Sequence, residues 1–163
     1  MDIYTTIDSP VGEILLAGDG TALTRVSFDV ASVRAGQRRE PLAFAEAERQ
    51  LGEYFAGERT DFDLPLATHG SAFQERVWAE LATLPYGTTT SYGALAARIG
   101  APAERVRAVG AAIGANPLLV VLPCHRVVAA DGALTGYAGG LERKRALLTL
   151  EGVLQPQLWD VMS

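Results

Sequence analysis

The stretch SYGALAARIGAPAERVRAVGAAIGA, residues 91–115, decides the fold class. Ser91 to Arg98 read as a short helix closed by Gly100. Pro102 suits the first turn of a further helix running to about Ala115. On that helix Val106, Val109 and Ile113 share one face, while Arg107, Ala108 and Ala111 point the other way. Two short helices across a tight glycine-containing turn outline a helix-turn-helix. An outward face of alanines with one arginine is odd for a solvated helix and suits close approach to a groove. The blander reading, that alanine is simply common in this chain, stays open.

Upstream, Ser71-Ala72-Phe73-Gln74 has the spacing of a capping box, and Phe73, Val77, Trp78, Leu81 and Leu84 give a helical stripe broken by Pro85. Downstream, the apolar run 118–122 reads as a buried strand. Residues 127–129 and 133–135 around Asp131-Gly132 read as a hairpin, and Leu141–Leu150 as a last helix. A helix-turn-helix followed by a hairpin predicts a winged-helix-like domain over 70–163. Residues 1–69 differ. Strands are expected at 3–7, 13–17 and 22–28, then a polar loop over 31–40. A helix follows from Pro41 with Phe44, Ala47, Leu51 and Tyr54/Phe55 on one face and Gly57 past its end. Residues 60–66 read as a further strand or a linker. The expectation is an α/β two-domain chain, a small N-terminal sheet-plus-helix domain before the helix-turn-helix domain.

Composition supports an ordinary folded protein, with 48% hydrophobic and 20% charged residues in 163. No apolar run is long enough for a bilayer, and the N-terminus MDIYTTIDSPVGE lacks the basic and apolar sections of a secretory signal. A cytoplasmic protein with no membrane contact is expected. The single cysteine excludes an intramolecular disulfide and a multi-cysteine zinc site. With His69 and His125 the only histidines, no metal is expected. The net charge of −5 divides unevenly: residues 1–69 carry 6 arginines against 12 acidic residues, whereas 70–163 carry 8 basic and 7 acidic. The second half is thus free to present a local basic face.

Chemistry centres on Leu122-Pro123-Cys124-His125-Arg126-Val127-Val128. A free thiol has a pKa near 8.5, so only about 3% is thiolate at neutral pH, and an imidazole or cation nearby raises that fraction. Adjacent strand residues point to opposite faces, so a working Cys124–His125 pair needs Pro123 to bend the chain, or a bridging water. Cysteine-histidine adjacency alone fits a small buried core residue at least as well.

The wider context points further. Pro123-Cys124-His125-Arg126-Val127 resembles the active-site signature of the O6-alkylguanine-DNA alkyltransferases, the methylated-DNA–protein-cysteine S-methyltransferase family. Phe73-Gln74-Glu75-Arg76-Val77-Trp78, Pro85-Tyr86-Gly87, Ser91-Tyr92, Arg107-Ala108-Val109-Gly110, Asn116-Pro117, Tyr137-Ala138-Gly139-Gly140 and Leu148-Thr149-Leu150-Glu151-Gly152 follow in the family's order over roughly residues 70–152. The resemblance implies single-turnover, irreversible DNA repair in which Cys124 accepts the alkyl group of O6-alkylguanine in a flipped-out base, with O4-alkylthymine open as a second substrate. It implies that His125 takes the thiol proton through water, that Glu151 orients and charges that histidine, and that Asn116 braces the active-site turn. Tyr92 would contact the guanine and supply a proton as it leaves. Arg107, with Ala108 and Ala111 beside it, would enter the duplex from the minor groove, and Pro123, Tyr137, Ala138 and Gly139 would line the base pocket. Ala138 stands where several members carry serine, which leaves its backbone amide for the base oxygen. No cofactor and a monomer are implied. The competing readings are a non-catalytic binder of alkylated DNA, which would lack the cysteine, and a helix-turn-helix regulator, which would leave Cys124, His125 and Glu151 unexplained. A cysteine hydrolase would leave the arginine-bearing helix unexplained.

Overall fold

A computed structural model describes residues 2–155; the end of the expected 70–163 unit, 156–163, lies outside the described residues. The N-terminal half is a four-stranded sheet in the order β3-β2-β1-β4, with β1 Ile3–Ile7, β2 Ile14–Gly18, β3 Leu23–Ser27 and β4 Arg38–Arg39. β2 is antiparallel to β1 and β3, and β4 joins β1 in parallel. All five residues of β2 are buried, so both faces of the sheet's centre are covered, as its unalternating ILLAG sequence requires. The β2–β3 turn needs Gly18, because a Cβ there would lie 2.5 Å from the Ala22 carbonyl oxygen. Asp19 closes that turn by accepting the Thr21 and Ala22 amides.

A 3-10 turn at Pro41–Phe44 leads into α1, Ala45–Phe55, which buries Ala47, Leu51 and Tyr54 against the sheet side of the core. Its end is a left-handed Gly57 with the Glu58 amide donating back to the Glu53 carbonyl. The stretch 60–66 forms no strand; it makes one bridge, Leu66 beside Leu23. The polar loop 31–40 yields the two-residue β4, which its sequence did not signal.

α2, Ala72–Leu81, opens with the full capping box of Ser71 and Gln74. After it come β5, Thr90–Ser91, and α3, Tyr92–Arg98, then a left-handed Gly100. A 3-10 turn at Ala103–Arg105 leads into α4, Val106–Gly114. Trp78 on α2 donates its indole N–H to the Ala112 carbonyl at 2.8 Å, which ties the second helix of the helix-turn-helix to the core. α5 spans Leu141–Leu150. Among the described residues no helix is long and apolar enough to cross a membrane.

Two expected strands are otherwise. Residues 118–122 are buried but turn on themselves: Leu118 bridges Val26, and Val120 takes a left-handed φ of 71°. The cause is local hydrogen bonding that outcompetes a ladder, since Asn116 captures the Leu118 amide and the Leu122 carbonyl, and the Leu122 amide returns to the Leu118 carbonyl. The hairpin also fails to extend. β6, Val127–Val128, pairs in parallel with β5 instead. The Asp131-Gly132 turn does form, with the Ala129 amide on the Ala133 carbonyl, but the Thr135 carbonyl goes to Lys144 and Tyr92 rather than to a ladder.

The two halves share one core. The outer edge of β3 is satisfied in part from the other half, with the Val26 amide donating to Pro117 and the Leu119 amide to Val26. The sheet therefore helps to fix the segment that leads to Cys124.

Candidate active site

Pro123, Cys124, His125 and Arg126 sit where the chain leaves the 118–122 turn. Cys124–Arg126 is a single 3-10 turn, closed by the Arg126 amide on the Pro123 carbonyl. The bend needed for Cys124 and His125 to work together is thus present, and Asn116 holds it from below by donating to the Leu122 carbonyl at 2.9 Å.

Burial is deep here: Cys124 is 4% exposed, His125 0% and Glu151 5%. Glu151 follows the end of α5 and is ionised. Burial opposes its charge, but hydrogen bonds from His125 and Arg126 prevail and hold its pKa at about 2. His125 Nε2 lies 2.7 Å from Glu151 Oε2. An ionised carboxylate only accepts, so Nε2 carries the proton and Nδ1 has the free lone pair. Nδ1 is buried and has no partner among the described residues. Burial first, and the nearby Arg126 and Lys144 charges, keep His125 below its usual pKa despite Glu151. The result is a neutral imidazole with its basic atom unoccupied.

The thiol needs such a base. Burial pushes Cys124 up to about 11, only partly offset by Asn116 and the Lys144 charge, so roughly one thiol in ten thousand is ionised at pH 7. Thiolate must be made when it is used, not stored.

Tyr92 donates to the Thr135 carbonyl at 3.0 Å, so its hydroxyl bridges α3 to the loop before Tyr137. Tyr137 packs edge-on to His125, with its hydroxyl buried and unpartnered among the described residues. Gly139 is required beside it: a Cβ there would meet the Phe28 and Tyr137 rings at 2.7 Å. Ala138 is exposed. On α4, Val109 and Ile113 are buried, Val106 and Ala108 are half-buried, and Arg107 and Ala111 are exposed.

Three residues that sequence reasoning passed over belong to this centre. Arg126 grips both oxygens of Glu151, Nε at 2.8 Å and Nη2 at 3.0 Å, and donates Nη1 to the Leu84 carbonyl. Its place beside His125 was the available signal. Lys144, fully buried on α5, donates to the Val127, Thr135 and Gly136 carbonyls and so fastens the Tyr137 loop. Tyr54 reaches from α1 to donate to Glu151 Oε2 at 2.6 Å. Its position on an apolar helix face marked it only as core.

Comparison with known proteins identifies the family. A family model described as 6-O-methylguanine DNA methyltransferase, DNA binding domain, matches residues 72–153, and one described as the ribonuclease-like domain of the same protein matches 3–68. The methylated-DNA–protein-cysteine methyltransferase of Mycolicibacterium paratuberculosis is 54% identical over 151 residues, 91% of each chain. The constitutive enzyme of that name from Bacillus subtilis is 42% identical over 161 residues, covering 94% of this chain and 97% of its own. A crystal structure of Mycobacterium tuberculosis OGT in complex with DNA superposes with a TM-score of 0.89 at 49% identity over 99% of both chains. With both halves matched and relatives this similar along nearly the whole length, the chain belongs to the 6-O-methylguanine DNA methyltransferase family.

Proposed function

We propose that this protein repairs DNA by transferring the alkyl group of O6-alkylguanine to Cys124, once per molecule. The observation that carries the reading is a buried thiol beside a neutral histidine whose Nδ1 is free, held by an ionised glutamate. The thiol proton passes to His125 Nδ1, through a water in the role the family suggests. The sulfur lone pair then forms the S–C bond as the C–O6 bond breaks. The electron pair left on guanine is neutralised by a proton, for which Tyr92 is the proposed donor once it releases the Thr135 carbonyl. The thioether has no good leaving group, so turnover stops at one. No cofactor is required, because the chain supplies its own acceptor.

The target lies inside a stacked duplex, so the base must be rotated out and the gap filled. Arg107 is the proposed filler, flanked by Ala108 and Ala111, which allow close approach of α4 to the minor groove. Pro123, Tyr137, Ala138 and Gly139 are the proposed pocket lining, and Asn116 the brace of the reacting turn. The M. tuberculosis relative crystallised with DNA supports DNA as the partner. The same proposal takes the chain as a cytoplasmic monomer dividing at residues 69 and 70.

Intact mass after incubation with a duplex carrying one O6-methylguanine tests it. The expected result is a stable gain of one CH2 on the peptide containing Cys124, saturating at one per protein. Binding without any mass change would indicate a non-catalytic binder or a regulator, and sustained turnover a hydrolase.

A further inference from the structure

The half of the molecule without the thiol reaches into the relay at one atom. Glu151 Oε2 accepts from three donors: Tyr54 Oη at 2.6 Å, His125 Nε2 at 2.7 Å and Arg126 Nη2 at 3.0 Å. Oε1 accepts Arg126 Nε at 2.8 Å and, more weakly, the Gly87 amide at 3.4 Å. Tyr54 is the only one of these donors contributed by residues 3–68, and it lies 97 positions from Glu151. We propose that Tyr54 is a positioning residue of the reaction, its hydroxyl drawing charge from Glu151 and so lowering the basicity of His125.

The geometry separates this role from simple support. Arg126 grips both carboxylate oxygens and is anchored on the Leu84 carbonyl, so the orientation of Glu151 does not depend on Tyr54. What the phenol alters is how much negative charge remains for His125. A donor sharing Oε2 with Nε2 competes for the same lone pairs, and in a buried site that competition is little screened. The phenol cannot ionise in the working range, because burial and the Glu151 charge both push its pKa far up. It is therefore a constant donor, not a switch. The other titratable and charged groups facing the pair are Arg126 and Cys124 from the turn, Lys144 from α5, Tyr86 from the segment after α2, and Tyr137 from the pocket loop.

Removal should be tolerated. The Tyr54 ring is held by Phe55, Phe62 and Tyr86 at centroid distances of 5.2, 5.5 and 6.3 Å, all contacts that phenylalanine preserves. Glu151 Oε2 would keep two donors.

The inference rests on the proposed His125–Glu151 relay, and the test separates the two. Single-turnover alkylation by free O6-methylguanine, which needs no DNA binding, is followed against pH in the full-length protein. Wild type should lose rate at low pH as His125 protonates. In Tyr54→Phe that acid limb should move to higher pH, by about half a unit or more, with the high-pH rate equal or modestly raised. Site-specific 3-fluorotyrosine at 54, a stronger donor, should move it the opposite way. Phe62→Leu, which loosens the same aromatic cluster without touching Glu151, should leave the limb in place. A limb present in wild type but unmoved by either change at position 54, or moved equally by Phe62→Leu, overturns the role of Tyr54 alone. A wild type with no His125-dependent limb overturns the relay and this inference together.

Discussion

The reacting centre and the outward face of α4 lie in the same half of the molecule and are built on opposite rules. Around Glu151 both oxygens are occupied, and Cys124, His125 and Lys144 are all buried. On α4 the exposed residues are Arg107, Ala111 and Gly114, a single long side chain between small ones. Proton transfer to a fixed atom needs preorganised partners shielded from bulk water. Approach to a duplex needs a low surface that does not clash. On the proposed roles, the difference predicts that transfer and recognition can be lost separately.

The largest effect belongs to Cys124→Ala. Transfer should vanish while affinity for alkylated duplex persists, measured by mass and by fluorescence anisotropy. If binding collapses as well, the two regions are not separable.

Next is Glu151→Ala, which leaves Arg126 buried without its partner. Removing one member of a buried pair typically costs about 3–5 kcal/mol. A melt should show a fall of that order, and the rate should drop too. Combined with His125→Ala, the rate loss should be smaller than the product of the single losses; multiplicative losses would mean that the residues act independently. Acid sensitivity follows from the same centre. His125 is held below its ordinary 6.5 and Glu151 at about 2 against 4.5. Both folded-state values lie below the unfolded ones, so each contributes stability above its unfolded pKa that is lost as pH falls. Melting temperature should therefore decline first below about 6.5 and again between 4.5 and 2; a flat profile over that range would contradict the assigned protonation states.

Arg107→Ala should be milder, slowing repair in duplex DNA while sparing transfer from the free base. Equal losses on both substrates would join the two regions that the structure keeps apart. Duplex affinity should also weaken with salt as phosphate contacts release counterions.

The smallest effect is that of the product. A methyl group added to the packed Cys124 typically costs about 1–3 kcal/mol of strain. For a chain of this size that is roughly 2–12 °C in melting temperature. Stoichiometrically methylated protein should melt lower and bind DNA more weakly, with larger alkyl groups doing more. Identical midpoints would mean that the site already has room.

Much of this was readable from order and spacing. The capping box at Ser71, the glycine closures at Gly57 and Gly100, and the helical stripes of α1, α2 and α4 are short-range features. Their signals lie within a few residues, so they appear in the linear chain. The string around Cys124, with Glu151 downstream, pointed to a centre in which the structure brings His125 and Glu151 within hydrogen-bonding distance. Where reading along the chain failed, competing hydrogen bonds had intervened, local in one case and distant in the other. An apolar run at 118–122 looks like a strand until Asn116 takes its amide and carbonyl, and Val127–Val128 finds Thr90–Ser91 before it can pair with its neighbours.

The amino-acid sequence by itself thus determined the helices and the sheet's first three strands, because local sterics and periodicity encode them, while the thiol and its histidine were singled out by the resemblance to the alkyltransferase family. Only the tertiary structure decided that Arg126 and Tyr54 converge on Glu151 and that Lys144 fastens the pocket loop. Those groups look like a surface charge, a core aromatic and a helix cation in one dimension. They acquire a role only when burial removes water and leaves each polar group to be satisfied by the protein partners that the fold brings to it.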